Sequence, residues 1–432
     1  MMSNAKYFQF KPFDVNRLLI WGGFALVLVL APLVFRSSLA LTVLSQMGYM
    51  IIICLSYNVL LGQGGMLSFG HAVYTGMGAF LAIHALNLIG AGTLPLPVSL
   101  VPVVGGIAGA GVAALLGWVT TKKGANTFAM ITLGVGELVF AMSLMFPDFF
   151  GGEGGISSNR STGKPFFGIT FGPQIQVYYL IAVYCFICTG LMYALTRTPL
   201  GRMLNAVRDN PERVEFVGYN TQVVRYIAFI IAGFFAGIGG GLTALNFEIV
   251  TAESVSAARS GGYLLFTFLG GAVFFFGPIL GAILSVLAFV LLSEVTKAWL
   301  LYLGLVFLVM VMFAPGGLSS LVMMNLRVAA FGKFKRLVAG YFGLAVTSLV
   351  WAAGLSAAIE MIYHMQFEAG TGDTVRFLGI VLNTQSASHW LGALAVFVVG
   401  LVLFELVRRR FALEWGTVQE EIEKELHRRG NA

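Results

Sequence analysis

The stretch Leu39-Ala-Leu-Thr-Val-Leu-Ser-Gln-Met-Gly-Tyr-Met-Ile-Ile-Ile-Cys-Leu-Ser-Tyr-Asn-Val-Leu-Leu61 carries no charged residue. About 20 apolar residues suffice for a helix to cross the hydrocarbon core of a bilayer, and this stretch supplies them. Comparable runs lie at Leu18–Phe35, Met66–Ile89, Val98–Thr120, Thr127–Phe146, Val177–Thr196 and Tyr226–Phe247. Further runs occupy Gly261–Ser293, which Gly270-Gly271 and Gly277-Pro278 interrupt, Ala298–Ala314, Leu337–Met361 and Trp390–Val407. Only helices and closed barrels satisfy their backbone in lipid, and the alternating pattern of a barrel is absent. The sequence therefore predicts an all-α integral membrane protein, a polytopic bundle of about 10–12 spans.

Composition agrees. Of 432 residues, 58% are hydrophobic and 10% charged, against roughly 45–50% and about 25% in soluble chains. A normal water-facing surface cannot be built from that composition, so the net charge of +7 does not indicate nucleic acid. It indicates orientation, because cytoplasmic loops collect Lys and Arg. With the N-terminus inside and Gly261–Ser293 counted as two short crossings, only Arg36, Arg160, Lys164, Arg259, Lys297 and Arg376 of the 26 basic residues fall outside. The split of Gly261–Ser293 partly serves that count; the assignments before Phe247 do not depend on it. The expected arrangement is N-in and C-in. The first run exceeds the 7–15 residues of a signal-peptide core and reads as a retained anchor. Cys54, Cys185 and Cys188 sit in apolar runs and read as small buried hydrophobes.

The most charged segment before the C-terminus is Arg197-Thr-Pro-Leu-Gly-Arg-Met-Leu-Asn-Ala-Val-Arg-Asp-Asn-Pro-Glu-Arg-Val-Glu-Phe-Val-Gly218. It falls on the cytoplasmic side as a polar helical hairpin, either a solvated loop or a docking surface. This segment resembles the loop of LivM-type permeases, membrane subunits of ABC importers for branched-chain amino acids. Pro199, Gly201, Arg202, Arg208, Asp209, Asn210, Glu212, Glu215 and Gly218 stand at the matching places. Glu212 and Gly218 keep the spacing of the importer EAA motif, with Arg213 and Val214 in place of its alanines. Three more segments resemble the family in order: Leu55–His71 with its Gly62-Gln-Gly-Gly65 break, Thr132–Glu137 with the loop Gly151–Ile156, and Gly270–Gly281. The resemblance runs from about residue 40 to Leu318.

The resemblance implies a permease that moves leucine, isoleucine and valine across the bacterial inner membrane by alternating access. It implies a homologous second permease (LivH-like), two ATP-binding subunits (LivG/LivF-like) and a periplasmic substrate-binding protein as partners. ATP and Mg would be bound by those partner ATPases, and no cofactor by this chain, which would not itself be an enzyme. Ser161–Lys164 looks like the end of a P-loop, but Ser158 stands where a glycine is required and Pro165 where Ser or Thr would be. No HxxxH or HExxH pair suggests a metal. The loop residues Gly201, Arg202, Arg208, Asp209, Glu212, Glu215 and Gly218 would couple the chain to the ATPase. Alternative readings are a permease for urea, short amides or other small acids, and an ion-coupled secondary transporter using Glu137, Glu360 or Glu405.

Candidate pathway residues cluster at the first break: Asn58, Gln63, Ser68 and His71, with Glu137 on a later span. Repeated glycine in a span serves either close packing or an unwound segment lining a cavity; the second break at Gly270–Gly281 favours the pathway. Gly76 and Gly78 read as packing residues. A carboxylate at a helix centre costs something like 3 kcal/mol on insertion scales, so Glu137 is expected to face the bundle interior and find a donor. His71 reads as a satisfied interior group or a substrate contact.

The chain is expected to divide into an N-terminal anchor segment (1–38), a permease core (39–320, with the coupling loop at 197–225) and a C-terminal extension (321–432). The extension holds two spans around an external loop with His364, Glu368, Asp373 and His389. It ends in a short cytoplasmic amphipathic helix, Glu414–Arg429, whose Trp415, Val418, Ile422 and Leu426 share one face and suit a membrane surface or a neighbouring subunit.

Overall fold

The charge-free runs fold as helices, and the breaks between them fall mostly at Gly, Pro and capping residues. The computed structural model describes residues 15–162, 170–367, 372–377 and 379–430. Lys6, Lys11, Lys164, Pro165 and Glu368, which figure in the sequence reading, lie outside the described residues. The chain divides into two compact units: residues 1–291 with 315–319, and residues 292–314 with 320–432. Residues 292–314 thus group with the C-terminal part of the chain.

The first unit begins with α1 (Val15–Val34), α2 (Ser38–Asn58), α3 (His71–Gly90), α4 (Val101–Thr120) and α5 (Ala125–Met145). A single turn α6 (Pro147–Phe150) precedes α7 (Gln174–Arg197). The polar hairpin α8 (Pro199–Asp209) and α9 (Pro211–Phe216) leads to α10 (Thr221–Phe247). Two short helices follow, α11 (Ala257–Gly270) and α12 (Gly277–Leu287), the latter extended by a π-turn to Leu292. At about 1.5 Å rise per residue, each limb of this pair is shorter than a typical span. Met66–Ile89, expected as one span, begins its helix only at His71; residues 64–70 form the irregular link after a π-turn at Val59–Gln63.

Helix α10 is the centre of this unit, lying against α2, α3 and α4. Lipid offers no hydrophobic drive between helices, so small residues that let backbones approach replace it. A Cβ on Gly105 of α4 would lie 2.7 Å from the Gly237 carbonyl of α10 and 2.9 Å from that of Gly78 on α3. Three helices thus meet backbone to backbone, and Gly76 and Gly78 are packing residues as expected. Cys54, Cys185 and Cys188 are free thiols buried in the same core.

The two ends of the unit are distinct. The turn with Lys122 and Lys123 lies beside Arg225 at the start of α10, at the end that also carries α8 and α9. At the opposite end β1 (Ile156–Ser157) pairs antiparallel with β2 (Ile249–Val250). There the buried Arg160 donates to the carbonyls of Phe171, Leu245 and Asn246. Basic loops therefore gather at one end, as the charge count requires.

The second unit contains the single turn α13 (Ser293–Val295), α14 (Trp299–Phe313), most of α15 (Gly317–Ala330), and the antiparallel pair α16 (Phe334–Phe367) and α17 (Ala387–Gly430). A hairpin of β3 (Thr374–Phe377) and β4 (Ile380–Asn383) joins the long pair. The amphipathic helix expected at Glu414–Arg429 is not a separate element: α17 runs unbroken over 44 residues, roughly 66 Å at 1.5 Å per residue. Val418 and Ile422 are buried with Val328 and Leu337, and Trp415 packs on that cluster, so the apolar face is covered by the chain itself; Leu426 stays exposed. Lys333 reaches Glu421 at 2.7 Å beside the cluster.

Among the described residues nine helices are long and apolar enough to cross a membrane, or ten if α14 and α15, bent by 51°, count as one span. The protein is an all-α polytopic membrane protein, as the hydropathy pattern predicted.

Candidate functional site

The two glycine breaks, far apart in sequence, meet in space. A Cβ on Gly62 would collide with the Ala272 carbonyl, one residue beyond Gly271 at φ +101°, and with Asn58 Oδ1. No side chain larger than hydrogen fits there. The Gly271–Gly277 link also touches Gly316 and Ser319, whose Oγ lies 3.5 Å from the Gly271 carbonyl. A compact knot of irregular backbone results, on the end of the bundle that carries the polar hairpin.

The hairpin is built by capping chemistry. Thr198 accepts the Gly201 N–H at 3.2 Å and Asn210 accepts the Arg213 N–H at 3.0 Å, each followed by Pro at the first helical position. Leu204, Val207 and Val214 turn into the core. Glu215 accepts a bond from Thr221 Oγ1 at 2.6 Å, which ties the hairpin to the start of α10. Arg202, Glu212 and Arg213 project outward, as do Phe216, 90% exposed, Val217 and Tyr219. Gly218, at φ +92°, makes the turn back.

Arg208 joins the hairpin to the breaks. Its guanidinium donates to the Gly62 carbonyl and pairs with Asp209 at 2.9 Å. Gly65, at φ +63°, leaves the space that the Arg208 side chain occupies, since a Cβ there would stand 2.7 Å from Arg208 Cγ. Two reasons for glycine coincide at that residue: a left-handed backbone and a neighbour's close approach.

Of the pathway candidates, Asn58, Ser68 and His71 are buried and Gln63 is half-buried. The polar groups around the link mostly bind it to its neighbours. Tyr57 donates its hydroxyl to the Ser68 carbonyl at 2.7 Å and accepts the Ser68 N–H at 3.2 Å. His71 Nε2 lies 2.9 Å from Ser56 Oγ, whose own proton goes to the Ile53 carbonyl. The Phe69 N–H donates to Thr132 on α5, and the Ala72 N–H to Ser260 on α11. His71 is thus a buried group bonded through Nε2, while its Nδ1, like Asn58 Oδ1 and Ser68 Oγ, has no partner among the described residues. The reading of Glu137 is corrected: it is exposed on α5 and finds no donor within the chain among the described residues. Helix α5 is the least covered of the helices α2–α5, with 28% of its apolar window buried, and Gly134 and Leu138 are exposed near Glu137. The periodicity of an apolar helix does not say which side faces protein, and that is why the sequence misplaced it.

Sequence reasoning also missed the exposed Phe216-Val217 pair and Tyr219, whose signal was apolar residues inside an otherwise polar loop. It did not foresee that Arg208 contacts Gly62, a pairing separated by 146 positions.

A family model described as branched-chain amino acid transport system / permease component matches residues 39–315. The chain belongs to this permease family. The permease is 28% identical over 302 residues to the high-affinity branched-chain amino acid transport system permease protein LivM of Salmonella typhimurium, covering 64% of this chain and 69% of the relative. It is 28% identical to the LivM protein of Escherichia coli, with the same coverage. The galactose/methyl galactoside import permease protein MglC of Escherichia coli is 25% identical over 63% of this chain and 85% of its own length. No solved structure matches the permease. It is an ABC transporter permease and a multi-pass protein of the bacterial inner membrane.

Proposed function

We propose that this permease forms the membrane path of an ATP-driven importer of leucine, isoleucine and valine, working by alternating access. The observation that carries the coupling is the contact of Arg208, on the exposed hairpin, with Gly62 at the meeting point of the two breaks. A force applied to α8 and α9 from the cytoplasm reaches the irregular backbone through one charged hydrogen bond and the packed faces of Leu204 and Val207. Irregular backbone is where a span changes shape at least cost. Separate ATP-binding subunits, LivG/LivF-like, bind ATP and Mg and dock on the hairpin; Arg202, Glu212, Arg213 and Phe216 form the offered surface. A LivH-like second permease completes the path, and a periplasmic binding protein delivers the substrate. An exposed intramembrane carboxylate is costly against lipid, and coverage of the Glu137 face by the second permease or by an aqueous path between the two relieves that cost.

The relatives named for branched-chain amino acids favour that substrate over the sugar of the galactose relative, because they align at higher identity. Tracer leucine uptake in cells lacking the chain, with and without it restored, tests the substrate. Restored uptake insensitive to unlabelled urea and galactose is the expected result. Restored cells with no leucine uptake would overturn it. Of the acids an ion-coupled carrier would need, Glu360 is engaged by Tyr302 at 3.2 Å and Glu405 by Arg408 and Arg409.

A further inference from the structure

We infer that a cavity between α2, α3, α10 and α11 binds the carboxylate of an aliphatic α-amino acid through Arg259. The inference rests on the importer reading and names the place in this chain where its substrate is held. The cavity measures about 220 Å³ and lies towards the end of the bundle formed by β1 and β2, opposite the coupling hairpin. Charge assigns that end to the outside.

Its lining is divided by chemistry. Tyr49, Tyr263 and Thr243 are hydroxyl-bearing residues of the lining, the Thr243 hydroxyl donating to the Gly239 carbonyl at 2.9 Å, while Met50, Phe247 and Val250 are apolar ones. Among the described residues Arg259 is the charged member of the lining, and none of them brings a carboxylate to the cavity. The Arg259 side chain has no ion-pair partner among the described residues; its backbone N–H alone is engaged, by Ser256 Oγ at 3.3 Å. An unpaired guanidinium beside hydroxyls, at the margin of a small cavity, offers a fork of donors that matches a carboxylate. A neutral sugar or urea gains no charge-assisted bond there, and a bare cation is repelled. The apolar part of the lining suits an aliphatic side chain and gives the site a second requirement besides charge.

The native cysteines are all buried, so a thiol introduced at Ser254 on the cavity wall reports on the site. The full-length Ser254→Cys chain in right-side-out membrane vesicles is labelled with a membrane-impermeant maleimide while leucine, leucinamide, galactose or urea is titrated. The expected result is protection by leucine and not by the other three. Adding Arg259→Gln should raise the leucine needed for half-protection by about tenfold or more, the worth of a charged hydrogen bond, and Arg259→Lys should recover part of it. Equal protection by leucinamide, protection by galactose or urea, no protection by leucine, or protection indifferent to Arg259→Gln would each overturn the site. Labelling needs neither ATP nor partner subunits. Leucine uptake that persists in Arg259→Gln with protection unchanged sinks the site and leaves the importer; protection without any uptake sinks the importer and leaves the site.

Discussion

The Arg208 guanidinium donates to the Gly62 carbonyl across 146 positions of sequence. It joins the hairpin on the cytoplasmic side to the π-turn that ends the first core span. Arg208→Gln should leave insertion and the amount of protein in the membrane unchanged. It should lower leucine uptake by about 10- to 100-fold, if the roughly 1.5–3 kcal/mol of a charged hydrogen bond is spent in coupling. ATP hydrolysis by the assembled complex should continue, and it is the ratio of uptake to hydrolysis that tests the idea. A parallel fall in both would place Arg208 in assembly instead.

Phe216 stands 90% exposed at the end of α9, where the hairpin turns back towards α10. Such a residue contributes little to the fold, and surface changes usually stay within about 0.5 kcal/mol. Phe216→Glu should therefore leave the thermal stability of the purified chain unchanged and abolish co-purification of the ATP-binding subunits. Retained co-purification would show that docking uses another face.

Gly237 belongs to the meeting of α3, α4 and α10, where a Cβ would strike the Gly105 backbone. Backbone cannot give way as a flexible side chain can. Gly237→Val should cost about 1–3 kcal/mol or more by overpacking and reduce the folded protein recovered from membranes. By contrast Gly111, with nothing within 4 Å of a Cβ, should accept Ala without loss. Equal behaviour of the two variants in a detergent melting assay would contradict the packing argument.

These cases mark how far the sequence could be read. Hydropathy alone located the spans, because burying charge in lipid is costly whatever the fold. The breaks at Gly62–Gly65 and Gly270–Gly281 were visible because repeated glycine in a helix needs a reason, yet nothing local says that the two breaks touch. Arg208 could be placed in a coupling loop by resemblance, while its partner could not. Glu137 shows the opposite failure: its cost in the membrane was legible, and its direction was not, since α5 is apolar all round. The cavity at Arg259 draws on four helices, and no single segment announces it.

Glu421 is held by Lys333 at 2.7 Å and Arg336 at 3.3 Å, beside the buried Val418 and Ile422. Lys333, first in hydrogen bonding, sets the Glu421 carboxyl below its ordinary 4.5. A depressed carboxylate stabilises the fold above its unfolded value, and that contribution fades as the pH falls through the folded one. Packing of the end of α17 onto α15 and α16 should therefore be unchanged from neutrality down to about the ordinary glutamate range and loosen only below it. Hydrogen exchange over 411–428 reads this directly: protection should fall on acidification in the native chain. In Glu421→Gln it should already be lower at neutral pH and change less on acidification. Exchange that depends on pH equally in both chains would place the acid sensitivity elsewhere.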